Sequence, residues 1–401
     1  MANNKKFSSF LENPIDYTLL ITVLLLLTIG LIMVLSASSP TSLAESGNSY
    51  KYFVKQGIFA VVGLIGMTFI SNIDYRFYKK FYKIAYIIAI ILLAAVLVVG
   101  KTINNAKRWI YVTESLSFQP SELVKFCMII FYAGILTKNR EELKYFIKGW
   151  GKHLIMLVPV IGLLIIEPHL SASVVIIGIV GIMMIIAGCK LWQIIVPGIG
   201  LGVPLAGIAI LKVQKFAHAI KRITTFIDPW QDKLGAGYQV IQSLYAIGSG
   251  GLFGAGLGQS KQKYLYLPEP QNDFIFSVLA EELGFIGCTF VIILFAIFIW
   301  RGILIAMKSP DMFGSLVAVG ITAMIGIQVI VNIAVVTSSM PATGMPLPFF
   351  SYGGTALVIL LCQIGVLLNI SRAGKRIWFI EVRCEKVELS LRVFYHIFWE
   401  E

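Results

Sequence analysis

Charge is scarce in this chain of 401 residues: only 13% are Asp, Glu, Lys or Arg, about half the share of a soluble domain. Apolar residues make up 57%, and the mean hydropathy is +0.83. Such a composition excludes a disordered tail protein, a nucleic-acid-binding arm and an ordinary soluble enzyme. The five cysteines, Cys127, Cys189, Cys288, Cys362 and Cys384, lie far apart with neither zinc nor redox spacing, and they read as small buried hydrophobes. His153, His169, His218 and His396 are equally scattered, without metal-ligand spacing. No GxxxxGK[ST] occurs and no GxGxxG precedes a helix, so a nucleotide-driven pump is unsupported and no nucleotide cofactor is expected. Strand-like alternation is missing as well, which argues against a β-barrel.

What is present is a series of long apolar runs. At about 20 residues per span, ten can be read: Tyr17–Ser36, Phe53–Ile73, Phe81–Val99, Ser121–Leu136, Trp150–Ile166, Ala172–Cys189, Leu191–Leu211, Phe274–Met307, Phe313–Val336 and Thr355–Ile370. The first ends in Leu-Ser-Ala-Ser-Ser-Pro, faintly like a signal-peptidase site, but the runs that follow favour a retained span. The expected fold is therefore an all-α polytopic membrane protein with about ten transmembrane helices. Lysine and arginine set its orientation. Lys5, Lys6, Arg76, Lys79, Lys80, Lys138, Arg140, Lys144, Lys148, Lys190, Arg301, Lys308, Arg372, Lys375 and Arg376 all fall on one side, which places both termini in the cytoplasm.

The net charge of +12, from 33 basic and 21 acidic residues, is not wholly absorbed by that side. Lys107 and Arg108 lie in one outer loop. A large extracellular loop between helices 7 and 8 (212–273) holds Lys212, Lys215, Lys221, Arg222, Lys233, Lys261 and Lys263 against Asp228, Asp232 and Glu269. Long loops tolerate positive charge; the sharper reading is that the outer face binds something anionic. The same loop has a glycine-dense run, 248–258. It reads either as N–H groups offered to an anion or as a re-entrant loop packed against helices. Asp273 stands where this loop enters the eighth span, suited to capping a helix or to acting as a general base. Deeper by ~12 Å come Glu281 and Glu282, intramembrane carboxylates with Lys125 as the obvious buried partner. Lys125 shares a helix face with Ser121 at i, i+4. The uncharged segment 341–354, rich in proline and glycine, reads as a rigid lining.

The segments FQPSELVK, FIDPWQDKLGAGYQVIQSLYAIGSGG, GLGQSKQKYLYLPEPQNDFIFSVLAEELGFIG and PLPFFSYGG resemble those of the SEDS family, the RodA/FtsW/SpoVE group, over about 15–374. The QKYLYLPEP wording is more similar to the division and sporulation branch. The resemblance implies one transmembrane glycosyltransferase domain (1–374) in the bacterial cytoplasmic membrane, at the septum, followed by an atypical tail (375–401). Its implied reaction is polymerisation of lipid II into peptidoglycan glycan strands at the outer face. In it Asp273 deprotonates the attacking sugar hydroxyl, and a single displacement inverts the anomeric carbon and releases undecaprenyl diphosphate. The substrate-binding residues so implied are Lys107, Arg108, Gln119, Ser121, Glu122, Lys125, Arg222, Asp228, Tyr238, Gln239, Gln242, Ser243, Ser260, Gln262, Lys263, Glu269, Ser351 and Tyr352. The leaving diphosphate needs charge neutralisation, by basic residues or by a divalent cation such as Mg2+ or Mn2+. Implied partners are a class B penicillin-binding protein and other divisome or sporulation membrane proteins, with no nucleic acid. Two departures stand out. Many members carry an acidic residue after the proline where this chain reads Glu167-Pro168-His169, so no role is carried over there. The tail from Lys375 is unlike the family, and its deletion is expected to leave polymerisation intact. A flippase for lipid II and a scaffold recruiting the transpeptidase are the competing readings.

Overall fold

The computed structural model describes residues 15–103, 106–111, 117–145, 150–167, 169–190, 225–233, 235, 237–264 and 266–374. The expected span Leu191–Leu211, Arg222, the early part of the large loop and the 375–401 tail lie outside them. Among the described residues, helices fill the expected runs, with α3 and α8 formed outside them: α1 (Tyr17–Ser46), α2 (Lys51–Ser71), the short α3 (Arg76–Lys80), α4 (Tyr82–Val99), α5 (Pro120–Lys138), α6 (Lys152–Ile166), α7 (Leu170–Ala187), α8 (Tyr238–Gly250), α9 (Ile275–Met307), α10 (Met312–Val336) and α11 (Gly354–Gly374). Eight of these are long and apolar enough to cross a membrane, and α6 is a shorter apolar helix. The chain is thus a polytopic helical membrane protein.

Helix ends follow local chemistry. Asp16 caps α1, accepting from Leu19 N–H at 3.0 Å. Pro120 opens α5, where its missing N–H costs nothing. Asp311 caps α10 through Gly314 N–H at 2.8 Å. Helices α5 and α10 are the most enclosed, while α2 and α4 leave most of their apolar surface outward, as helices facing lipid do. At the end assigned to the cytoplasm, Arg301 pairs with buried Asp16. Nearby the Tyr75 hydroxyl donates to Asp311 at 2.6 Å, and Arg372 donates to Asn72 at 2.8 Å.

One element departs from an all-α expectation. Between α4 and α5 the chain forms a three-stranded antiparallel sheet, β1 (Lys101–Ile103), β2 (Ala106–Tyr111) and β3 (Ser117–Phe118). Lys101 pairs with Trp109 and Ile110 with Phe118 in its register. Strands of two to six residues are too short to show alternation, which is why the sequence conceals them.

Candidate active site

Helix α9 is kinked where Gly284 takes φ 66° and ψ −167°. The kink frees backbone groups, and the glycine-dense loop after α8 satisfies them. Ala255 N–H donates to Glu281 C=O at 2.9 Å and Gly256 N–H to Glu282 C=O at 3.0 Å, while Phe285 N–H donates to Gly251 C=O at 2.9 Å. At Gly254, with φ 80°, a Cβ would lie 2.2 Å from the Glu282 carbonyl oxygen. These glycines therefore serve backbone-to-backbone packing, the re-entrant alternative, and those N–H groups are not offered to an anion.

The two intramembrane glutamates are partnered by this same loop, not by Lys125. The Lys263 ammonium lies 2.8 Å from Glu282 and 2.9 Å from Ser36 Oγ, and the Ser36 hydroxyl donates to Glu282 at 2.6 Å. Glu281 accepts from the Ser260 hydroxyl at 2.5 Å and from the N–H groups of Lys261 and Gln262 at 2.8 and 3.3 Å. Lys263 and Glu282 are 3% and 1% exposed. Lys125, 2% exposed, pairs with Glu122 at 2.8 Å, one turn away on α5. A buried lysine beside a neighbouring carboxylate satisfies the cost that made it conspicuous. The expected Lys125 partnership with Glu281 or Glu282 is thus corrected.

A cavity of about 600 Å3 opens among β2, α2, α5, α7, α10, α11 and the 341–354 segment. Asp273 lines it, one residue before Phe274, which occupies the N-cap of α9. The backbone around Asp273 is clamped. Buried Asn332 of α10 donates to both Asp273 C=O, at 2.8 Å, and Met345 C=O, at 2.7 Å. Ser351 Oγ donates to Asn272 C=O at 2.7 Å, and Tyr352 N–H donates to Gln271 C=O at 2.8 Å. Gly344, with φ 68°, lies so close that a Cβ there would sit 3.2 Å from Asp273 Oδ2. The uncharged 341–354 segment is the lining its composition foretold.

Of the other expected site residues, Arg108, Gln119, Glu122, Lys125, Gln239, Glu269, Ser351 and Tyr352 share this cavity with Asp273. Glu269 is held by Gln271 and Asn272 amides, each at 3.0 Å. Gln239 donates to Pro268 C=O at 3.3 Å. Burial pushes the Tyr352 phenol up to about 12, which keeps it a hydrogen-bond donor.

The remaining described ones do not line the cavity. Lys107 donates to Leu97 C=O at 3.2 Å. Asp228 caps a short turn through Trp230 N–H at 3.1 Å. The Ser243 hydroxyl is spent on Val336 C=O at 2.7 Å and lies 2.8 Å from that of Ser277. Ser260, Gln262 and Lys263 belong to the anchor on α9, Ser121 is buried inside α5, and Tyr238 and Gln242 stand on α8 outside the lining. Residues missed from the sequence include Lys55, Trp109, His169, Asn272, Gln328, Thr355 and Gln363. Lys55 had a signal: it stands at the outer end of a span, against the positive-inside bias.

His169 lines the cavity where the family pattern is broken. Burial, with Arg108 and Lys125 nearby, pushes its imidazole down to about 3. The neighbouring carboxyl of Glu167 is pushed up to about 8 by burial, against the pull of Arg108. The cavity thus adds a neutral imidazole to its charged groups. Among the described residues no three Asp, Glu, His or Cys side chains gather into a metal-binding group. These donors thus form no such group for the divalent cation that the resemblance offered as an alternative to basic residues.

Comparison with known proteins gives the family. The chain is 45% identical to stage V sporulation protein E of Bacillus subtilis (strain 168), over 90% of its length and 98% of that protein. It is 40% identical to the probable peptidoglycan glycosyltransferase FtsW of Geobacter sp. (strain M18), over 89% and 96% of the two chains. Among solved structures, a chain of a peptidoglycan synthase complex studied for its coordination of polymerization and crosslinking superposes with a TM-score of 0.70. It is 28% identical, with 90% of this chain and 98% of that one covered. The rod shape determining protein RodA of Thermus thermophilus superposes with a TM-score of 0.66 at 26% identity, covering 90% and 97%. Residues 17–376 match the FtsW/RodA/SpoVE family, described as cell cycle proteins, and the chain belongs to that family.

Proposed function

We propose that this protein is a peptidoglycan glycosyltransferase that polymerises lipid II at the outer face of the membrane. The observation that carries the reading is Asp273, set by a backbone clamp in the wall of a cavity that Arg108 also lines. In the proposed reaction the Asp273 carboxylate accepts the proton of the acceptor sugar hydroxyl. The oxygen's electron pair forms the new glycosidic bond, and the anomeric carbon–phosphate oxygen bond breaks with inversion. The departing pair goes to the diphosphate, where the cavity's cations offset the charge. A divalent cation, where one takes part, would be held chiefly through the substrate's own phosphates with a single cavity carboxylate. Geobacter FtsW, by its name, supports the activity, and the synthase-complex neighbour supports a class B penicillin-binding protein as partner. The sporulation and FtsW relatives support a place at the septum or in spore-cortex synthesis.

The test is strand synthesis from lipid II by purified protein and by Asp273→Asn, with and without the transpeptidase. The variant should fold and make no strands, a loss of at least 10²-fold. Normal synthesis by it would overturn the assignment. A transporter would need a polar path through the bilayer. Glu281 and Glu282, the carboxylates that path would have used, are taken up in anchoring the loop to α9.

A further inference from the structure

Most of the lysines expected to meet an anionic substrate have their charge occupied inside the protein. Lys263 is buried against Glu282, Lys107 donates to a backbone carbonyl, and Lys125 is paired with Glu122. Lys55, on the second turn of α2, is different. It lines the cavity, is half-buried, and has no ion pair or hydrogen bond among the described residues. Its position is nevertheless rigid. Next to it, fully buried Gln56 bridges α2 to the lining segment, donating to Ser351 C=O at 3.4 Å and accepting from Gly353 N–H at 3.2 Å. One turn before, the Tyr52 ring packs edge-on against Tyr352 with centroids 4.8 Å apart. A long cationic side chain held at its root, uncompensated at its tip and facing a cavity is placed to meet an anion from outside the chain.

We propose that Lys55 is a substrate-binding residue that contacts the diphosphate of a lipid-linked sugar in this cavity. The assignment rests on reading the cavity as the site of such a donor. A lipid diphosphate and an ordinary anionic phospholipid headgroup share the phosphate chemistry, so the experiment separates them. Full-length protein in nanodiscs is titrated with undecaprenyl diphosphate, undecaprenyl phosphate and phosphatidylglycerol, for wild type, Lys55→Gln and Lys55→Arg. Lys55→Gln should weaken diphosphate-lipid binding about 10-fold, equivalent to about 1.4 kcal/mol, with a smaller loss for the monophosphate and none for phosphatidylglycerol. Lys55→Arg should restore most of it, which a merely structural role on α2 would not require. Unchanged diphosphate binding in Lys55→Gln overturns the proposal. So do an equal loss for phosphatidylglycerol and the absence of diphosphate binding by the wild type. The titration needs no turnover. Failure of the wild type to make strands, with Lys55-dependent binding intact, would therefore strike the polymerase reading and leave this one standing.

Discussion

Removing the Lys263 ammonium distinguishes a substrate-binding lysine from an anchoring one. The Lys263→Met variant leaves Glu282, 1% exposed, with only the Ser36 hydroxyl at 2.6 Å and a long contact from Ser260 N–H at 3.4 Å. Breaking a buried pair in this way costs about 3–5 kcal/mol, because an uncompensated charge stays behind. Replacing both partners removes that charge. The Lys263→Met/Glu282→Gln protein should recover most of the loss and lie within about 2 kcal/mol of wild type. Thermal unfolding in one fixed detergent, followed by fluorescence-detected size exclusion, reads the stability series. Lipid II polymerisation at a temperature where wild type and double variant are folded reads the site. The double variant should keep the wild-type KM, since Lys263 does not line the cavity. Two results would refute this reasoning: a double variant as unstable as the single one, or a stable double variant with a strongly raised KM. The second would return Lys263 to the substrate, as its place in the outer loop first implied.

Three further outcomes follow from the geometry. Gly254→Ala should destabilise the protein by about 2 kcal/mol or more in the same unfolding assay, combining left-handed strain with a clash against the Glu282 carbonyl. Gly258→Ala, at φ 82° but with nothing within 4 Å of a Cβ, should cost less; equal losses would count against the packing role. Asn332→Leu removes the hydrogen bonds to the Asp273 and Met345 carbonyls and frees the Asp273 backbone. A fall in kcat of up to about 10²-fold, with a smaller change in KM, should result, and an unchanged kcat would dismiss the clamp. The third concerns pH and stability. Glu167, raised to about 8, contributes stability that is full below its unfolded value and lost as pH rises through 8. His169, lowered to about 3, contributes stability lost as pH falls below its ordinary 6.5. Between pH 6.5 and 8 only the Glu167 loss operates, so Glu167→Gln should flatten the wild-type decline there.

The spans were legible because an apolar run of 18 residues or more has few alternative explanations, and α9 and α10 lie within a residue or two of where the hydropathy placed them. Asp273 was legible through the wording of its motif together with its place at a loop–helix boundary. Pairings were not. Lys125 was matched to Glu281 and Glu282 because all three are intramembrane charges. The winning partner, Glu122, was its neighbour at i−3, and the glutamates were reached by a loop whose path hydropathy does not encode. The glycine-dense run had two physical readings, and only the kink at Gly284 decides for packing. Lys55 escaped notice because it belongs to no motif and stands beside a first outer loop otherwise nearly free of the basic surplus.

The placement of charge changes how the outer face must work. A surplus of +12 with basic residues in outer loops was read as an outer face that binds something anionic. The cavity wall instead sets Lys55, Arg108 and Lys125 against Glu122, Glu269 and Asp273, with His169 neutral, so its formal charges balance. A balanced site attracts little at long range, and at physiological salt fields fade within ~8 Å. Recognition must then come from position: which cation meets which phosphate once the lipid-linked substrate, already concentrated in the membrane plane, has entered. Balance also suits a general base. A carboxylate ringed only by cations would hold its charge too firmly to accept a proton. Asp273 shares its cavity with Glu122 and Glu269 and stands beside uncharged Gly344, so the cations that would meet a leaving diphosphate are not gathered on Asp273 alone.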